Sequence, residues 1–298
     1  MLGAVSPLKV LADATREAAR AGAAGVLQVR ARGVRPATAT HVGPDLVVAP
    51  LHALDRDEGL VVSRGAATLD ATLAGRDDAL DIALLRAPGL GASPLRLTTE
   101  LTGAAQLVVA VALSWQGDLM AQLASVTGQT CPQRRWRSEP LPPLLRTDLV
   151  PGRGVSGGVL VDPDGVVQAW LTTGLSRGSV LGIPGPLLAN RVERLATHGR
   201  IRRGYVGMAI QPVVLPPTQQ AHGRHGLLVS GVDAEGPAAR AGLYVGDVLI
   251  AAEGQPLTEP DALQALLPEA RIGTTLAIQV LRGTTLHDMA VTVGERGR

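Results

Sequence analysis

"GRGVSGGVLVD", residues 152–162, sets one serine, Ser156, among four glycines and runs on into an apolar segment. Two readings fit. The stretch is either a tight turn that holds a serine nucleophile or a loop that joins two strands. A glycine-rich turn does not by itself separate them. A nucleophilic serine needs a base within hydrogen-bond reach and an acid that orients the base. The reading therefore turns on whether the chain supplies both, on a scaffold that could bring them together.

At 298 residues the chain has room for two domains of roughly 100–200 residues each. Hydrophobic residues make up 46% of it, enough for ordinary cores, and are almost all Leu, Val, Ala and Ile because Phe is absent. Net charge is +2, and the basic runs "RRWR" (134–137) and "RIRR" (200–203) are short enough to be solvated loops. A nucleic-acid partner requires a concentrated basic face, so that class is excluded. The single cysteine, Cys131, rules out an internal disulfide and a metal site built on cysteines. No metal or cofactor is expected. Residues 1–25 lack a basic segment followed by an apolar core of about 7–15 residues. No segment reaches the ~18 uninterrupted apolar residues of a membrane span. As given, the chain is expected to be cytoplasmic. A true start further upstream would instead make it periplasmic or otherwise extracytoplasmic.

Residues 6–21 read as a helix, with Ser6 as cap, Pro7 in the first turn, and Leu8, Leu11, Ala12, Thr15 and Ala19 at helical spacing. Short β-rich runs follow, among them "GVLQVRA", "LDIALLR", "QLVVAVAL" and "VVQAWLTTGL", separated by Gly, Pro and Asp. Many short strands with turn signals between them indicate an all-β sandwich or barrel. A helix over "LLANRVERLATHG" (187–199) stops at Gly199. A second unit begins near "GYVGM" (204–208), with two helical stretches, a hairpin turning at Glu253-Gly254, and strands to the end. The expected domains are residues 1–200 and 204–298.

Six histidines are available as the base. His41 lies within a strand run, His198 at a helix end, and His222, His225 and His287 in the second unit. His52 closes the apolar strand "DLVVAPLHAL", where a rigid element can hold a side chain at a loop edge. For the acid, Asp81 opens Ile82-Ala83-Leu84-Leu85 and so adjoins a core, where a charge is costly unless paired. Asp77 and Asp78 are rivals, and both read as exposed. Each residue alone has a structural reading, a core histidine or a turn-capping aspartate. Taken together, the order His52, Asp81, Ser156 is that of the triad on two-barrel β proteases.

Here the residues carry a resemblance. "VVAPLHAL", "LDIALLR" and "RTDLVPGRGVSGGVLVD" resemble the histidine, aspartate and serine stretches of HtrA-type (high-temperature-requirement) serine proteases. "LGIPGPLLANRVERLATHGRIRRGYVGM" resembles that family's entry into its PDZ domain, and "GPAARAGLYVGDVLIAAEGQPL" resembles the PDZ core. The likeness covers about residues 24–298. It implies a mostly β fold, a trypsin-like double β-barrel followed by a small α+β PDZ domain. It implies Ser156 as nucleophile, His52 as general base and then acid, Asp81 as the orienting acid, and the N–H groups of Gly154 and Ser156 as oxyanion hole. Val180, Leu181 and Gly182 would line a pocket for small or medium aliphatic side chains. Tyr205, Val206, Gly207 and Met208 would capture a peptide carboxylate.

The implied activity is endopeptidase cleavage of unfolded or damaged proteins, with polypeptides and peptide C-termini as partners. Three residues depart from the family's pattern: Leu51 stands where a small residue precedes the histidine, Val155 where Asn or Asp precedes the serine, and Val159 where Pro follows the glycines. The rival reading is accordingly a catalytically impaired scaffold that binds peptides through its PDZ domain. The family's trimers use aromatic residues near the N-terminus. The first 114 residues here contain no Phe, Tyr or Trp, which argues against that trimer and leaves a homo-oligomer open.

Overall fold

The structure, a computed structural model, describes residues 6–90, 94–100, 102–131, 143–152, 154–202 and 204–295. The basic run at 134–137 lies outside them. The described residues form two compact units, one running to Ile201 and one from Arg202.

The first unit holds two closed six-stranded barrels. One joins β1 (Val26–Arg30), β2 (Ala37–Gly43), β3 (Leu46–Pro50), β4 (Leu60–Arg64), β5 (Ala67–Asp77) and β6 (Ile82–Arg86) in the order β1-β2-β3-β6-β5-β4. The other joins β7 (Leu107–Leu113), β8 (Leu119–Thr130), β9 (Leu144–Thr147), β10 (Val159–Val161), β11 (Val167–Thr172) and β12 (Leu181–Pro184) in the order β10-β11-β12-β9-β8-β7. This is the mostly β, double-barrel fold that the resemblance implied.

The period of two along a strand explains why several of these runs are apolar throughout. Val47, Ala49, Ala83 and Leu85 fill the first barrel, while Val48, Ile82 and Leu84, on the opposite faces of the same strands, belong to another core. In the second barrel Val108, Ala110, Leu160, Ala169 and Leu171 point inward. Val109, Val111, Val159, Val161 and Trp170 point the other way and meet Val48, Ile82 and Leu84 in one shared cluster. A strand with one face in a barrel and the other in the joint between barrels has no wet face, so polar residues have no place on it.

Two helices cover the joint. The first, α1 (Pro7–Ala23), starts at Pro7, but Ser6 makes no side-chain cap; its carbonyl accepts the N–H groups of Lys9 and Val10 instead. The expected apolar face is also displaced. Leu8 and Leu11 are 77% and 40% exposed, whereas Ala18 and Gly22 are buried. Only the last turns of α1 lie on the barrel, and there small residues permit close approach. A Cβ at Gly22 would lie 2.8 Å from Val111 and 2.9 Å from Val161. The second helix, α2 (Gly185–His198), ends at Gly199 in the left-handed region (φ 69°), as its stop signal indicated.

The second unit is a sheet of β14 (Met208–Val214), β15 (His225–Val232), β16 (Val248–Ala252), β18 (Thr275–Arg282) and β19 (Thr285–Thr292) in that order, with β17 (Gln255–Pro256) on β16. A two-stranded pair, β13 (Gly204–Tyr205) with β20 (Gly294–Glu295), and the short helices α3 (Pro237–Arg240) and α4 (Pro260–Ala265) complete it. Here one face is dry. Leu276, Ile278 and Val280 of β18 are buried, and Thr275, Ala277 and Gln279 between them are exposed. The expected hairpin turns at Glu253 (φ 50°) and Gly254 (φ 74°). The longer of the two helical stretches, "EPDALQALLPEA" (259–270), forms a shorter helix than its sequence suggests, because Pro268 cannot continue it, and α4 gives way to a single 3-10 turn at Glu269–Arg271.

The packing of α1 predicts that Gly22→Val destabilises the protein by about 1–3 kcal/mol through overcrowding. Leu8→Ser should change stability by no more than about 0.5 kcal/mol. Urea unfolding of the two variants measures both.

Candidate active site

The acid and the base are joined by their strands. Pro50, the end of β3, pairs with Ile82, the start of β6. One residue beyond that pair, the Leu51 N–H donates to the Asp81 carbonyl at 3.0 Å. His52 sits in the 3-10 turn that follows β3; its N–H donates to Asp81 Oδ1 at 2.9 Å and its Nδ1 lies 2.6 Å from Oδ2. The Thr172 hydroxyl, at the end of β11, donates to the same Oδ2. Three donors thus converge on a carboxylate that is 6% exposed, which offsets the cost of burying its charge. Asp81 adopts φ 60°, a left-handed conformation that aspartate tolerates better than most residues.

With the carboxylate accepting at Nδ1, that nitrogen carries a proton and Nε2 is left to receive one. The Asp81 hydrogen bond raises the His52 pKa, its charge adds to the effect, and partial burial of the ring works against both. The rivals to Asp81 are placed elsewhere. Asp78 is paired with Arg76 at 2.6 Å on the surface. Asp77 is buried, contrary to the exposed position expected for it, because it ends β5 against α2, with Oδ2 3.6 Å from Arg191.

Ser156 stands in a loop held by backbone contacts too close for a side chain. Gly154 (φ 92°) and Gly157 (φ 89°) require the left-handed region. A Cβ at Gly154 would strike the Leu113 carbonyl, one at Gly157 the Thr38 carbonyl, and one at Gly158 would lie 2.6 Å from the Val111 carbonyl. Two threonines of β2 tie the loop to the first barrel. The Thr38 hydroxyl lies 2.7 Å from the Gly154 carbonyl and 3.0 Å from that of Leu113, and accepts the Leu113 N–H at 2.9 Å. The Thr40 hydroxyl donates to the Gly157 carbonyl at 2.7 Å. The Gly157 N–H donates to the Leu171 carbonyl at 2.8 Å.

Residues 172–174 lie between the two halves. Thr172 reaches Asp81, while Thr173 reaches Ser156 Oγ with its hydroxyl at 2.8 Å and its N–H at 3.0 Å. A Cβ at Gly174 would overlap the Asp81 carboxylate and lie 2.7 Å from His52 Nδ1, so only glycine fits there. None of Thr38, Thr40, Thr172, Thr173 or Gly174 is evident from the sequence, since each acts through a partner distant in the chain. The one local signal is the "TTG" that follows a buried strand.

The departures from the family's pattern are absorbed by packing. Leu51 is half-buried against the first barrel's core, and the His52–Asp81 contact is intact beside it. Val155 packs on the second barrel's core. Val159 is fully buried in β10, which is paired on both sides. Val180 and Leu181 are buried as well, and Gly182 pairs with Leu171 of β11. In the second unit, Tyr205 ends β13 and its hydroxyl donates to Asp233 at 2.5 Å. Val206 is buried, Gly207 turns at φ 77° against Gly236 and Pro237, and Met208 opens β14.

Residues 37–169 match the family model of the trypsin-like peptidase domain, and residues 204–293 match that of the PDZ domain. A probable periplasmic serine endoprotease, DegP-like, of Halomonas elongata is 30% identical over 249 residues, which is 80% of this chain and 52% of the relative. Its counterpart in Pseudomonas fluorescens is 30% identical over 250 residues, with the same coverage. The chain carries a trypsin-like peptidase domain followed by a PDZ domain, and it is similar over most of its length to HtrA-type peptidases.

The chain spans about half the length of the curated relatives it matches. Its fold is similar to that of the HtrA-type protease AlgW, solved with a decapeptide, at a TM-score of 0.76 and 20% identity over 95% of this chain and 99% of that one. It is likewise similar to the serine endoprotease from Yersinia pestis, at 0.75 and 22% over 95% and 98%.

The geometry predicts that Gly174→Ala removes activity and costs about 1–3 kcal/mol, because the new methyl meets the carboxylate and the imidazole. Hydrolysis assays alongside thermal melts test this. The His52 pKa is raised. A base must be neutral, so the acid limb of the rate profile should lie above the ordinary histidine value of about 6.5. Asp81→Asn removes both raising influences, so the limb should move to lower pH while the rate falls by as much as roughly 10⁴-fold. Finally, Leu51→Ala should cost about 2 kcal/mol and give no gain in rate, since the leucine supports a core and does not displace His52.

Proposed function

We propose that this chain is a serine endopeptidase that cleaves unfolded or damaged polypeptides, with residues 1–200 as its protease domain and residues 204–298 as a PDZ domain that binds peptide C-termini. The observation that carries the proposal is the Asp81 carboxylate, which grips both the backbone and the ring of His52 on one side of residues 172–174, while Ser156 stands in its glycine loop on the other. The Ser156 oxygen attacks the scissile carbonyl carbon and its proton passes to His52 Nε2. Asp81 stabilises the imidazolium that forms. The N–H groups of Gly154 and Ser156 receive the oxyanion, a contribution typically worth about 10²–10³ in rate per donor. His52 then returns the proton to the leaving amine, and water attacks the acyl-enzyme by the same route.

The specificity strand supports a preference for aliphatic residues, since Val180, Leu181 and Gly182 carry no acid that would pair with Lys or Arg. For the PDZ domain the supporting features are a tight loop and an edge. β14 pairs with β15 alone among the described strands, and α4 packs beside it. An added peptide strand would extend that sheet, its carboxylate held by the amides of the loop at Tyr205–Met208. No described helix is long and apolar enough to cross a membrane. The curated relatives bear periplasmic names, and an extracytoplasmic site of action is part of the proposal.

Ser156→Ala should abolish casein cleavage and labelling by a fluorophosphonate probe while leaving the melting temperature unchanged. Persistent turnover in that variant would refute the assignment. The fragment from Gly204 to Arg298 should fold alone and bind a peptide with a free carboxylate and an apolar last residue. Amidating the peptide should weaken binding clearly in calorimetric titration, and equal affinity for the two forms would exclude carboxylate capture.

A further inference from the structure

We propose that Thr173 is a latch on the nucleophile, holding the Ser156 side chain in a rest position from which it must swing to reach His52. The inference rests on the serine-peptidase reading above. Both contacts of Ser156 Oγ within the described residues go to this one threonine, 2.8 Å to its hydroxyl and 3.0 Å to its N–H. An amide N–H can only donate, so one lone pair of the attacking oxygen is committed to it. The partner hydroxyl engages the same oxygen from a second direction. His52 meanwhile has Asp81 as its ring partner, and no hydrogen bond joins the imidazole to Ser156 among the described residues.

In this state the base is assembled and the nucleophile is not aligned with it. Alignment requires Ser156 Oγ to turn toward the imidazole and to give up the Thr173 hydroxyl. The two neighbouring threonines therefore do opposite work. Thr172 is fully buried and fixes the acid in its working position. Thr173 is half-buried and fixes the serine away from its working position. The threonine methyl is not needed for this and the hydroxyl is. Thr173 thus acts on the chemistry through Ser156, as a positioning residue.

The hydroxyl is removed with little change of shape in Thr173→Val and with loss of bulk in Thr173→Ala; it is kept in Thr173→Ser. The latch predicts that Val and Ala variants of the full chain react with a fluorophosphonate probe about twofold to tenfold faster than the unmodified protein, the worth of one net hydrogen bond. The Ser variant should react at the unmodified rate. A merely structural threonine predicts the reverse, with slower labelling and a lower melting temperature in the Val and Ala variants. Equal or slower labelling of folded Val and Ala variants, with the unmodified protein still labelled at Ser156, overturns the latch and leaves the peptidase reading intact. No labelling of any of the four proteins overturns both. A crystal structure of the unmodified protein with Ser156 Oγ on His52 Nε2 and away from Thr173 would overturn the latch without recourse to variants.

Discussion

The loop around Ser156 is held by contacts between backbones, and the rest of the site depends on them. Gly157 lies so close under the Thr38 carbonyl that no side chain fits between. Thr38 and Thr40 then bind the carbonyls of Gly154 and Gly157. These bonds run from β2 of one barrel to the serine loop of the other, so the barrels cannot shift relative to each other without moving the nucleophile. The acid and base belong to the first barrel and the serine to the second, and Thr172 bridges them from the second barrel to Asp81. Placement of three side chains is thereby reduced to the placement of two rigid bodies against one dry joint.

The order of the triad candidates, the helix stop at Gly199 and the Glu253-Gly254 hairpin are legible in the sequence because each signal is local: a residue type that a turn demands or a polar residue at the end of an apolar run. The face of α1 is not, since Leu8 and Leu11 have the right spacing and small residues do the packing. Hydrophobic spacing says which face could be buried. The close approach at Gly22, which decides what is buried, depends on Val111 and Val161, far away in the chain. Asp77 misleads in the same way, because the arginine beside it comes from a helix more than a hundred residues later. Gly174 is the plainest case. Its necessity lies wholly in the Asp81 and His52 atoms that occupy the space where its Cβ would be.

The departures from the family's pattern are changes of packing partner. Leu51 finds room in the first barrel's core and Val155 in the second's, so both substitute burial for a smaller or polar group. Val159 keeps an N–H in a strand that is paired on both edges, where proline would remove one. Leu51 and Val155 adjoin the catalytic candidates in the chain, and none of the three disturbs the His52–Asp81 contact.

The doubly buried strands have a further consequence for how the chain finds its register. In a sheet with one wet face, slipping a strand by one residue turns its apolar side outward and is rejected on polarity alone. A slip in β6, β7 or β10 would exchange one apolar face for another, and polarity would raise little objection. What distinguishes the right pairing there is shape and hydrogen bonding: the glycines that fit under carbonyls, the threonines that reach across the joint, and the volume of Trp170. The residues that build the candidate active site are thus among those that proofread the fold, and an error in strand pairing would be an error in the site as well.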